Sequence, residues 1–164
     1  PETYFLAAME AYRSGKRTTT VMGGIGKGYS PAMLKQMGAY YAHQRALPNR
    51  EPLDPDLVKQ GSKVFYQRCN TCHLDGKLWS SVHANRAYEA NCSPQCHLDY
   101  GSDSKIPTPF IGGQRAAYME NELRDFVAGN RSMSPRKTLA LKNLTDKEIR
   151  AVAAFYASQL QTPQ

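Results

Sequence analysis

The chain has 164 residues and a formal net charge of +7, from 21 Lys and Arg against 14 Asp and Glu. Its hydrophobic share of 41% and charged share of 21% place it far from the disordered class, and no run of about 18 apolar residues exists to span a membrane. The densest basic groups are the dipeptides Lys16-Arg17 and Arg136-Lys137, so the charge reads as a solvated face that steers an acidic protein partner rather than nucleic acid. The sequence opens Pro1-Glu2-Thr3, with neither an initiator methionine nor a signal peptide, and is expected to be a processed chain or a fragment.

Phe5, Met9 and Tyr12 recur at helical spacing and predict a first helix ending at Gly15, where a left-handed C-terminal position favours glycine. A glycine-rich methionine loop follows, Val21-Met22-Gly23-Gly24-Ile25-Gly26-Lys27-Gly28, whose glycines would let backbone approach a large flat group. It is a poor phosphate loop, because no strand precedes it and no Gly-Lys-Ser/Thr closes it. Ser30 with Pro31 opens a second helix that closes on Ala39-Tyr40-Tyr41-Ala42-His43-Gln44. Three prolines within residues 47–55 mark a linker. A helix over about 56–68 then carries Val58, Gly61, Val64 and Phe65 along one side and delivers the first cysteine pair.

The remainder repeats the beginning. Tyr118 and Gly129 stand as far apart as Tyr4 and Gly15, and Met119, Leu123 and Phe126 lie between them at helical spacing. Gly15-Lys16-Arg17 is matched by Gly129-Asn130-Arg131, and a loop methionine, Met133, follows as Met22 does. Thr145 with Glu148 forms a capping box for a last helix carrying Ala154-Phe155-Tyr156-Ala157-Ser158-Gln159. The sequence thus predicts an all-α chain of two related units. The first has no counterpart of the 56–68 helix, and alone it is too small for a comfortable core. It is expected to lack an N-terminal part or to lean on something else. Met9, Met33, Met37 and Met119, all at helical spacing, are expected as core filler.

Cys69-Asn70-Thr71-Cys72-His73 carries the clearest chemistry. The i, i+3 spacing sets both sulfurs on one side of a helical turn, where they can form thioether bonds to the two vinyl groups of a haem, with His73 beneath the iron. Met133, between Ser132 and Ser134-Pro135 where no apolar period demands it, is the expected sixth ligand. Met22 stands in the same place in the first unit and is expected to be axial to a first haem. The second pair, Cys92-Ser93-Pro94-Gln95-Cys96-His97, has three readings. It is an expanded haem motif with His97 as an axial ligand, a disulfide, or a metal site with His83 added. A zinc ribbon, with nucleic acid as its partner, also fits the cysteine spacing, but it explains neither the trailing histidines nor the duplicated methionine loops. No hydrolytic triad or carboxylate pair stands out.

Gly61 and Phe65 before Cys69-x-x-Cys72-His73, then Ile106-Pro107, Gly112-Gly113-Gln114, Met133 and Phe155-Tyr156, resemble a class I cytochrome c domain. The tandem is similar to dihaem cytochromes of the c4 type. It looks closer still to the cytochrome subunit of flavocytochrome c sulfide dehydrogenase, on Met9-Glu10, Ser14-Gly15, Val21-Met22-Gly23, Ile25 and Lys27-Gly28-Tyr29-Ser30. The resemblance implies tandem class I cytochrome c-like domains: residues 1–46 as the C-terminal part of a first domain, 47–55 as linker, and 56–164 as a second domain with an insertion at about 77–105. It implies haem c, one on Cys69 and Cys72 and a second beside it, and one-electron transfer in the periplasm. The chain would be an electron-transfer subunit of an oxidoreductase rather than a catalyst by itself, accepting electrons from a flavoprotein that oxidises sulfide. A freely diffusing dihaem carrier serving a terminal oxidase is the alternative. A peroxidase-like enzyme with an open haem site is the alternative of another class.

Overall fold

The computed structural model describes residues 2–19, 21–44, 49–70 and 111–159, and among these every regular element is an α-helix. Helix α1 (Glu2–Arg13) has an acidic first turn and a basic last turn, each complementing the helix dipole. It ends as predicted at Gly15, with φ of 74°. The Gly15 N–H donates to the Tyr12 carbonyl, satisfying an otherwise orphaned group.

The glycine-rich stretch departs from the expected loop. Residues Met22–Lys27 form a short helix, α2, that starts on Met22, whose N–H donates to Thr19 Oγ1 at 2.9 Å. Buried Gly26 lets it sit close on α1, since an added Cβ would stand 3.1 Å from Arg13 Cγ and 3.5 Å from the Met9 carbonyl oxygen. Helix α3 (Pro31–Ala42) opens on Ser30, which accepts the Met33 N–H, and buries Leu34 and Gly38 against α1. Met33 is not core filler. It is 46% exposed, because α3 turns its Leu34 and Gly38 edge inward and carries Met33 off that edge. Met9 and Met119 are buried as expected.

The second group is built on the crossing of α4 (Pro55–Arg68) with α7 (Asp146–Ser158). Asp54 caps α4 by accepting the Asp56 N–H, with Pro55 preset at the first helical position. At the crossing a Cβ on Gly61 would overlap the Ala151 carbonyl and stand 2.8 Å from Phe155 Cβ. The backbones therefore approach as only glycine permits. One turn on, the buried Phe65 ring lies 5.0 Å from that of Phe155 and 5.6 Å, edge-on, from that of Tyr156. Helix α5 (Ala116–Val127) adds Met119, Leu123 and Phe126 to this core, and α6 (Pro135–Leu141) adds Leu141.

Residues 49–54 form no regular element and are docked. Buried Asn49 donates to the Ala157 carbonyl at 3.2 Å, and Glu51 Oε1 accepts the Ala116 N–H at 3.2 Å. The ends of α7 and α5 are thus tied to the segment entering α4.

The repeat is visible as unequal burial. Phe155 and Tyr156 are 8% and 2% exposed under α4, whereas Tyr40 and Tyr41 at the matching places in α3 are 62% and 55% exposed.

Gly61→Ala is expected to cost about 3 kcal/mol, the upper end of overpacking penalties, measured by urea denaturation of the whole chain. The capping box yields a second expectation. Thr145 Oγ1 accepts the Glu148 N–H, while the Thr145 N–H and hydroxyl hold the Glu148 carboxyl below its ordinary value of 4.5. That stabilisation is present above pH 4.5 and is lost as pH falls through the lower folded value. Thr145→Ala should cost about 1 kcal/mol. Glu148→Gln, which cannot titrate, should make the urea midpoint fall less steeply in acid than in the wild type.

Candidate functional site

Cys69 stands at the C-cap of α4, and its N–H donates to the Phe65 carbonyl at 2.8 Å. The preceding Arg68 anchors that end. Its guanidinium donates to the Lys142 carbonyl at 3.0 Å and pairs with Glu148 at 3.8 Å, so the end of α4 is tied to the turn between α6 and α7. Cys69 is half-buried against the core of Val64, Phe65 and their neighbours.

Met133 packs, half-buried, against that same core. It lies in irregular backbone as predicted, held at both ends. Arg131, two residues before, pairs in an antiparallel bridge with Arg17, and Ser134, one residue after, caps α6 by accepting the Lys137 N–H at 3.2 Å. The structure therefore brings Cys69 and Met133 to one core. Met22 is half-buried at the start of α2, in the other repeat. Cys72, His73, Cys92, Cys96, His97, His83 and the Ile106-Pro107 pair lie outside the described residues.

The repeats meet through a cluster that sequence reasoning missed. Arg17 is only 7% exposed; its guanidinium donates to Glu122 at 2.8 Å and to the Tyr118 hydroxyl at 3.1 Å. Arg131 pairs with the same Glu122 oxygen. Each arginine also covers the ring one turn before its glycine, Arg17 over Tyr12 at 4.6 Å and Arg131 over Phe126 at 4.2 Å. The signal available was the matched Gly15-Lys16-Arg17 and Gly129-Asn130-Arg131, which marks the arginines as equivalents without showing that they touch.

Lys137 completes the cluster. Its ammonium faces the Phe126 ring, and burial first, then Arg131 and Arg17, push it down to about 7, with Cys69 opposing. Two arginines share one glutamate and the Lys137 ammonium is close enough to feel both, an excess of positive charge that favours a further anionic group.

No family model matches the chain. It is 30% identical over 159 residues to cytochrome c4 of Pseudomonas aeruginosa, covering 94% of this chain and 70% of that one. A thiosulfate dehydrogenase electron acceptor of Thiomonas intermedia is 24% identical over 175 residues, covering 99% of this chain and 69% of the other. Among solved structures, reduced recombinant cytochrome c4 from Pseudomonas stutzeri superposes with a TM-score of 0.66 at 25% identity, over 96% of this chain and 80% of that chain. Thiosulfate dehydrogenase from Marichromatium purpuratum superposes with a TM-score of 0.64 at 22% identity, over 96% of this chain and 31% of that one; this likeness is one of fold.

Proposed function

The chain belongs to the cytochrome c4 family, and on that premise we propose that it is a periplasmic electron carrier that accepts single electrons from a dehydrogenase. The observation that carries the proposal is the convergence of Cys69 and Met133 on one core, with the Met133 segment pinned at both ends. The described residues fit a haem in two ways. A soft thioether sulfur suits haem iron, and the surplus of Arg17, Arg131 and Lys137 over Glu122 suits a group that carries carboxylates. Among the described residues no helix is long and apolar enough to cross a membrane.

In this reading Cys69 and Cys72 would hold haem c through thioethers, and His73 and Met133 would hold its iron. Met22 would hold the iron of a first haem. Cys92 and Cys96 carry a further haem with His97 as ligand, or close a disulfide. A bound haem supplies a one-electron iron couple; the polypeptide performs no bond chemistry. The Phe65, Phe155 and Tyr156 rings exclude water from the second unit, which favours the reduced, less charged iron. The charge of +7 steers docking to a partner with an acidic face.

The relative named as a thiosulfate dehydrogenase electron acceptor supports a dehydrogenase of sulfur compounds as donor. A flavoprotein sulfide dehydrogenase is the finer reading within that class, and delivery to a terminal oxidase by free diffusion is the second reading, favoured by the cytochrome c4 relatives.

Met133→Leu should separate ligation from packing. It is expected to abolish the methionine–iron charge-transfer band and lower the reduction potential while changing stability by less than about 1.5 kcal/mol. An unchanged band would overturn the ligand assignment. A pyridine haemochrome assay with intact mass counts the haems, and Cys92→Ser with Cys96→Ser lowers the count only if that pair carries one. Reduction by the dehydrogenase should slow as ionic strength rises.

A further inference from the structure

The two repeats meet where their sequences differ. In the register that pairs Tyr4 with Tyr118 and Gly15 with Gly129, Glu122 corresponds to Ala8. The arginines that reach the junction are equivalents, yet the carboxylate that receives both comes from the second repeat. Glu122 is mostly buried, with 18% of its side chain exposed, and so is each arginine, at 8% for Arg17 and 18% for Arg131. The backbones of Arg17 and Arg131 are bridged beside it, and Thr18 Oγ1 donates to the Asn130 carbonyl at 3.2 Å. Charge-assisted hydrogen bonds of this kind are the strong ones, and removing the shared acceptor would leave two desolvated guanidiniums facing each other near the Lys137 ammonium.

We propose that Glu122 is a positioning residue that locks the two repeats together and, through Arg131, holds the segment bearing Met133. Arg17 reports to the α2 segment that begins with Met22, and Arg131 to Met133. One carboxylate therefore sets the relation between the two methionine-bearing segments. Loosening it frees both at once. The part that concerns Met133 rests on the electron-carrier reading; the junction itself does not.

The test uses the full, haem-loaded chain in a urea titration that follows the methionine–iron band and the far-ultraviolet helical signal together. In the wild type both signals are expected to fall in one coincident transition. In E122Q the band should be lost at lower urea than the helical signal. The equilibrium constant for its loss should rise roughly tenfold or more, the scale of a charged hydrogen bond. E122D should restore most of the wild-type behaviour. E120Q, on the same helix but paired with Arg124 at 3.0 Å, should behave as wild type. Coincident, unshifted transitions in E122Q, or an equal effect in E120Q, would overturn the proposal. If E122Q does not fold, R17Q removes the cross-repeat arm while leaving the Arg131 pair in place and should split the helical transition in two, and a single unshifted transition there would overturn it as well. A wild type without any methionine–iron band refutes the Met133 assignment and the part of the proposal that rests on it, and the junction is then judged by the helical transition of R17Q; a wild-type band with an unaffected E122Q refutes the proposal alone.

Discussion

Gly61 has no side chain, so α4 can lie directly on the Ala151 carbonyl of α7, and the second repeat is organised by that approach. With the backbones this close, Phe65 reaches both Phe155 and Tyr156, and the three rings close the core. The same crossing determines where α4 ends. Cys69 lands at its C-cap, against the core that Met133 reaches from the other side of the sequence. The placement of the candidate site therefore follows from one missing methyl group. Any residue larger than glycine would push α4 outward and carry Cys69 with it.

The first repeat shows the same helix pair logic without that cover. Its α3 carries Tyr40 and Tyr41 where α7 carries Phe155 and Tyr156, and these tyrosines stand exposed while their equivalents are buried. Within the first repeat, glycine again makes the close approaches, Gly26 for α2 and Gly38 for α3, each against α1. Among the described residues, the contacts that join the repeats are polar: a two-residue backbone bridge and a carboxylate shared by two arginines. A polar junction of this kind fixes orientation more sharply than an apolar one, because hydrogen bonds to a charged acceptor depend on direction.

Charge works at two scales in this chain. Over the surface, the excess of 21 basic over 14 acidic residues sets long-range attraction, which salt screens. At the junction, partly buried cations outnumber the carboxylate that receives them, and screening there is weak. Burial depresses the Lys137 ammonium, and the two arginines add to the effect. Both scales carry the same sign, an excess of positive charge.

Much of the fold was legible in the amino-acid order. Helical spacing, the caps at Ser30 and Thr145, and the positive-φ glycines 15 and 129 are local, and each depends on neighbours within a turn or two. The repeat itself, and the irregular backbone around Met133, were equally readable for that reason. The tertiary structure decided the rest. It made a short helix of the Met22 stretch, where Thr19 Oγ1 accepts the Met22 N–H and Gly26 fits against α1. It left Met33 outside the core and drew Asn49 into it. It joined Arg17 to Glu122 across more than a hundred residues. A contact between distant segments leaves no period in either of them, so the motif points to a chemistry while the electrostatic setting around it leaves no trace in the sequence.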